Sequence, residues 1–341
     1  MGTLRINGTI DVAQFWPVGN SDADTTQLKI NVSSDSFEFS EDDRTFSKTN
    51  VYKNAVVTGK GGKKPAIKFS KRNKTFSINV RLQGVDAPEL HYKAPPLPGN
   101  SVTEEVRKKY NEVNEDFRQP FGENAAYALG SFLTAKADDE GIVNAVFVSK
   151  NIYEPADALD TFGRFVGNIL VGRTDINLWL ASEGWVIPTF YASMSESEID
   201  AVIEACRKGV KKNRALRNIT YDCSHFEKDR ILRRDVDEYE EGSDAGLVLV
   251  PKFFRRTVNY HVSKASKIFK GSFLKFIQEK AKHDTFMLLD EFLEHDAETA
   301  DQYRIDDYLD GNTFTLKIDR IVFKEGSSSL KNQAGKKILK F

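Results

Sequence analysis

Cysteine is scarce: Cys206 and Cys223 are the only two in 341 residues. Two thiols cannot build a disulfide framework, and no Cys-x-x-Cys pair is present to hold zinc. His91, His225, His261, His283 and His295 are scattered, and none has metal-ligand spacing. No apolar run is long enough to cross a bilayer, and the N-terminal residues lack a basic start followed by an apolar stretch. The expectation is a cytoplasmic protein with free thiols and no membrane partner. Strong charge of one sign is also missing. The net charge of −1 gives no global basic field, so any affinity for nucleic acid must come from local clusters. There is no internal repeat, no heptad pattern and no Ser-His-Asp arrangement. The glycines from Gly59 to Gly62 lack the strand-to-helix context of a phosphate-cradling loop.

What is present is enough for two units. The chain exceeds one typical domain, and an apolar fraction of 40% can fill real cores. Two segments carry chemistry. The first is Val80-Arg81-Leu82-Gln83-Gly84-Val85-Asp86-Ala87-Pro88-Glu89, a strand that breaks at a proline and holds one arginine and two carboxylates. The second is Asp160-Thr161-Phe162-Gly163-Arg164, which supplies another arginine before an apolar strand. Carboxylates in such a group can hold a divalent cation and a water, while guanidiniums clamp phosphate oxygens. Together they suggest a metal-assisted phosphodiester site.

With three further elements, in matching order, this pattern resembles the thermonuclease (staphylococcal nuclease) family over about residues 5–217. Those elements are Asp22-Ala23-Asp24-Thr25, Phe121-Gly122-Glu123-Asn124-Ala125-Ala126, and Asn177 through Trp185. The resemblance implies an α+β fold: a five-stranded barrel of the oligonucleotide-binding type with packed helices, and a groove for a nucleic-acid strand. It further implies a calcium-dependent nuclease. Asp24 and Asp86 would be carboxylate ligands, with the Ala87 backbone carbonyl as another. Calcium accepts such a sparse set of hard oxygen donors completed by water. Glu89 would orient or deprotonate the attacking water. Arg81 and Arg164 would stabilise charge on the five-coordinate phosphorus. Asp22 competes with Asp24 for the early ligand position. Three departures from the family pattern stand out. Ala87 replaces the usual Thr, Phe162 the usual Tyr, and Thr161 a Lys. The last two predict weaker substrate grip more than lost chemistry, while Ala87 keeps the carbonyl ligand but loses a hydroxyl that could hydrogen-bond beside it. The rival reading is a non-catalytic module that binds nucleic acid or protein.

The remaining expectations concern organisation. A thermonuclease-like domain spans 1–220, with an insertion at about 33–74 that begins acidic and turns basic. A smaller C-terminal α+β region spans 221–341 and could dock a protein partner. In the insertion, strands at 51–57 and 66–69 would flank a hairpin tip at Gly59–Gly62. Its cations Lys60, Lys63, Lys64, Lys71 and Arg72 would neutralise phosphates of single-stranded DNA or RNA, with aromatic residues interleaved for stacking. A solvated hairpin whose lysines block edge pairing fits the same residues. Residues 3–18 read as a first strand and 27–32 as a second. Phe76, Ile78, Val80 and Leu82 line one face of a strand, and Arg81 lies on the other. Helices are expected over Gly122–Ala135, after Asp175 or Thr174, and after a capping box at Ser195. Residues 247–262 read as strands around Pro251, and 273–282 and 285–295 as helices. Residues 313–323 read as a strand, by alternation.

Overall fold

A computed structural model describes residues 1–31, 37–41, 44–46, 56–59, 62–65, 67–70, 75–98, 102–190, 194–220, 246–280, 284–288 and 321–325. Five strands close on one another: β1 (Gly2–Asp11), β2 (Thr25–Asn31), β3 (Thr75–Leu82), β4 (Ile142–Ile152) and β5 (Phe165–Val171). β1 runs antiparallel to β4, and β4 to β5; β5 lies parallel to β3; β3 pairs antiparallel with β2, which returns to β1 at Thr9↔Lys29. Closure removes every barrel edge, and alternation turns one side of each strand inward. Leu4, Ile6, Ile10, Leu28, Ile30, Ile78, Val80, Leu82, Phe147, Phe165 and Ile169 are all buried in that core. This is the expected α+β barrel of the oligonucleotide-binding type.

The first strand stops at Asp11, well short of residue 18. There the Asp11 carboxylate accepts the Ala13 N–H and opens a single 3₁₀ turn. The insertion departs from expectation in one respect. Val56–Gly59 pairs with Gly62–Pro65, so the hairpin tip is where the glycines predicted it. The segment Lys68–Ser70, expected to form the second arm, instead pairs with β3 at Lys68↔Ser77. Lys63 and Lys64 lie on the Gly62–Pro65 strand. Lys60, Lys71 and Arg72 fall outside the described residues.

Six described helices accompany the barrel, some packed on its core and some in separate apolar clusters. In chain order they are α1 (Glu104–Val113), α2 (Gly122–Thr134), α3 (Ile176–Ser182), α4 (Glu196–Gly209), α5 (Pro251–Ala265) and α6 (Phe273–Lys280). Capping chemistry sets several starts: Thr103 caps α1, Asp175 caps α3, and Ser195 with Glu198 forms a reciprocal box on α4. α3 and α4 meet at glycines. Gly184 sits at φ +75°, and a Cβ on Gly209 would collide with the Ala181 carbonyl. Gly209→Ala is therefore expected to cost about 1–3 kcal/mol, read as a lower melting temperature with the barrel otherwise intact.

The C-terminal segment corrects two expectations. Residues 251–265 form a helix where strands were expected, with Pro251 at its first turn, a position where the missing N–H costs nothing. Phe254, Val258 and Val262 recur at helical spacing and are buried, as is Phe253. Asp284–Leu288 is a strand paired with Ile321–Glu325, where a helix was expected to begin. α5 does not stand apart from the first unit. Phe253, Phe254, Val258 and Val262 share one apolar cluster with Ala94, Tyr110 and Phe117. Among the described residues, no helix is long and apolar enough to cross a membrane.

Cys206 is buried and free, and burial pushes its thiol up to about 12. The native chain should leave Cys206 unmodified by a thiol reagent, with labelling at that peptide by mass spectrometry appearing only on denaturation. Cys223 lies outside the described residues.

Candidate active site

The site forms where β3 ends. Gln83-Gly84 turns the chain with Gly84 at φ +82°, a conformation that suits glycine. Val85–Asp86 then pairs with Ile187–Pro188, holding Asp86 beside the barrel mouth. Across the β2–β3 ladder, Thr25 faces Arg81, which brings Asp24 to the same place. The backbone ties them further: the Leu82 N–H donates to the Asp24 carbonyl at 2.8 Å.

Arg81 is the hub. Its guanidinium makes ion pairs with both Asp24 and Asp86, one on each terminal nitrogen. Arg81 is only 8% exposed, although it lies on the face opposite the core residues of β3. Asp24 is held from every side. Its Oδ2 accepts the Ala87 N–H at 2.6 Å and its Oδ1 accepts the Thr25 hydroxyl at 3.1 Å. Burial alone would raise the Asp24 carboxyl, but the Arg81 charge and these hydrogen bonds outweigh it and leave it below the usual range. Asp86 accepts the Thr189 hydroxyl at 3.1 Å.

Asp22 serves differently. Its Oδ1 accepts the Leu90 N–H at 2.9 Å, which fixes the loop after Glu89. Burial and the Asp24 charge push the Asp22 carboxyl up to about 7. So Asp24, not Asp22, shares Arg81 with Asp86.

Glu89 is 4% exposed. Its carbonyl accepts the Gln119 N–H at 2.9 Å, and a Cβ on Gly122, the first residue of α2, would lie 2.8 Å from that carbonyl. The glycine thus lets α2 begin directly against Glu89. Burial pushes the Glu89 carboxyl up to about 8, against the lowering pull of Arg255. Arg255 reaches Glu89 from α5 with two nitrogens: Nε and Nη2 both lie 2.6 Å from Glu89 Oε1. Nothing in the local sequence marked this residue. It lies far along the chain, in a segment that read as a strand, and only a helical reading of 251–265 would have placed it on a face.

Arg164 immediately precedes β5, the strand parallel to β3, two residues before the Val166↔Arg81 pair. Its guanidinium is turned into an ion pair with Asp160 at 2.7 Å and lies 5.5 Å from the Phe162 ring centroid. Arg81, Asp24, Asp86 and Glu89 are thus gathered at one mouth of the barrel, whereas Arg164 is held by its own turn.

The donor set suits a hard divalent cation in kind. Four carboxyl groups (Asp22, Asp24, Asp86 and Glu89) face two guanidiniums (Arg81 and Arg255) here, and burial, with the Asp24 charge second, raises Asp22. Among the described residues no three His, Cys, Asp or Glu side chains form a closed cage. A cation here would rest on two carboxylates, backbone oxygen and water, a set that calcium tolerates.

A closed five-stranded barrel with a polar cluster at the end of its third strand defines a staphylococcal nuclease-like domain. Comparison with known families agrees: residues 79–219 match the family described as Staphylococcal nuclease homologue, and the chain carries a domain of that family. The match includes Arg81, Asp86, Ala87, Glu89 and Arg164. It begins after Asp24 and ends before Arg255, so both flanks of the site lie beyond it. No curated protein matches the chain.

Proposed function

We propose that this protein is a calcium-dependent nuclease that hydrolyses phosphodiester bonds of single-stranded DNA or RNA. The observation that carries the reading is Arg81 braced between Asp24 and Asp86, with Glu89 buried at the same mouth. Asp24, Asp86 and the Ala87 carbonyl would hold the cation, which supplies Lewis-acid polarisation of the phosphate and its water. Glu89 accepts the proton of that water. A carboxyl raised toward neutrality is well matched to this task, because proton transfer is most efficient near the working pH. Arg81 would stabilise negative charge growing on the phosphate oxygens once the cation takes over Asp24 and Asp86, the two carboxylates that hold its terminal nitrogens. Arg164 takes the same role only if it leaves Asp160 for the phosphate. The cations of the insertion, Lys60, Lys63, Lys64, Lys71 and Arg72, would extend the grip on the strand.

The full chain is expected to degrade single-stranded DNA or RNA in calcium and to stop when a chelator is added. The Asp160–Arg164 ion pair favours one other reading, a nucleic-acid-binding module without turnover. Binding of labelled oligonucleotide with no cleavage in calcium would select that reading.

A further inference from the structure

Resting on the nuclease reading, we propose that the C-terminal segment is a working part of the site, with Arg255 as the positioning residue that orients Glu89. Two independent grips meet on this one residue. The first is on its backbone. Gln119 donates its N–H to the Glu89 carbonyl and accepts the Leu249 N–H on its side-chain oxygen at 2.8 Å. Leu249 belongs to the short strand Val248–Leu249, paired in parallel with Ile219–Thr220 just before α5. The second grip is on its side chain, where Nε and Nη2 of Arg255 converge on Oε1. A guanidinium has a rigid fork of donors, so two bonds to one oxygen fix the direction of the carboxylate as well as its position.

α5 in turn is anchored tightly enough to act as a jig. Phe253, Phe254, Val258 and Val262 are buried against Ala94, Tyr110 and Phe117. One turn beyond Arg255, Asn259 accepts the Tyr92 hydroxyl at 3.1 Å, and the Arg255 guanidinium lies 5.8 Å from the Tyr92 ring centroid. The Glu89 loop is therefore fastened to α5 at residues 89 and 92. With Oε1 committed to Arg255, Oε2 would be the oxygen that takes the proton of the water. The Arg255 side chain is 49% exposed, so its replacement leaves no buried gap.

The test is steady-state cleavage of single-stranded DNA and of RNA in calcium by the full chain, its Arg255→Met and Arg255→Lys variants, and each paired with Glu89→Gln. A positioning role predicts that Arg255→Met lowers kcat by about 10- to 100-fold with KM little changed, because misdirecting a reacting group costs rate rather than binding. Arg255→Lys should recover part of that loss. With Glu89 already replaced by Gln, single-turnover rates should fall by less than about twofold on adding Arg255→Met, since the residue acts through Glu89. A rise in KM with kcat held, or an equal fall in both backgrounds, would overturn the inference. An active wild type beside an undiminished Arg255→Met sinks the inference alone. A wild type that cleaves neither DNA nor RNA sinks the nuclease reading and the inference with it.

Discussion

Glu89→Gln is expected to lower kcat by about 100- to 10,000-fold, the range over which a positioned acid or base contributes, while the chain stays folded. The side chain keeps its volume in a buried position, so packing is preserved. The amide cannot take a proton from water, yet its oxygen can still accept a bond from Arg255. Stability should respond to pH in a defined direction. Burial pushes the Glu89 carboxyl up to about 8, so the folded chain holds that proton more tightly than the unfolded chain. That contribution is full below the ordinary Glu pKa of about 4.3 and is lost as pH rises through about 8. In chelator, wild type should lose more melting temperature between acid and mildly alkaline pH than Glu89→Gln does. Rates and melts on the same preparations check both halves. An unchanged kcat would remove Glu89 from the chemistry.

Arg81→Met should have the largest effect on stability. Arg81 is 8% exposed and faces Asp24 and Asp86 together. Its removal leaves two carboxylates near one another without their ion-pair partner. Breaking a buried ion pair from one side costs about 3–5 kcal/mol. That corresponds to a melting temperature lower by roughly 10 °C in a chain of this size. The double variant Arg81→Met with Asp86→Asn should recover part of the loss, because the penalty belongs to the unpaired charge rather than to the missing guanidinium. Calcium should raise the melting temperature of Arg81→Met more than that of wild type, since the cation replaces the lost charge. Cleavage should fall as well. Melting unchanged from wild type would mean that the pairing does not support the fold.

Much of this was written locally in the chain. The alternation of Ile78, Val80 and Leu82 placed Arg81 on the opposite face, and the structure keeps it there with Asp24 and Asp86 around it. Capping residues announced the starts of α3 and α4. Two kinds of fact were not legible. Which of Asp22 and Asp24 pairs with Arg81 depends on which carboxylate reaches across the β2–β3 ladder, and a spacing of two residues cannot decide it. The meeting of Arg255 with Glu89 spans 166 residues, nearly half the chain, and depends on α5 being a helix. There, Pro251 was read as a strand break when it marks a helix start. Arg164 illustrates a third case. Its glycine turn was legible, but the Asp160 that shapes the turn also holds the guanidinium.

The most direct test of the site is a calcium titration of single-stranded DNA cleavage by the full wild-type chain beside Asp86→Asn. The account predicts cleavage that rises with calcium in wild type. Asp86→Asn should need at least about tenfold more calcium or reach only a small fraction of the rate, having lost one of two carboxylate ligands. Cleavage independent of calcium, or an Asp86→Asn curve that overlays wild type, would contradict it.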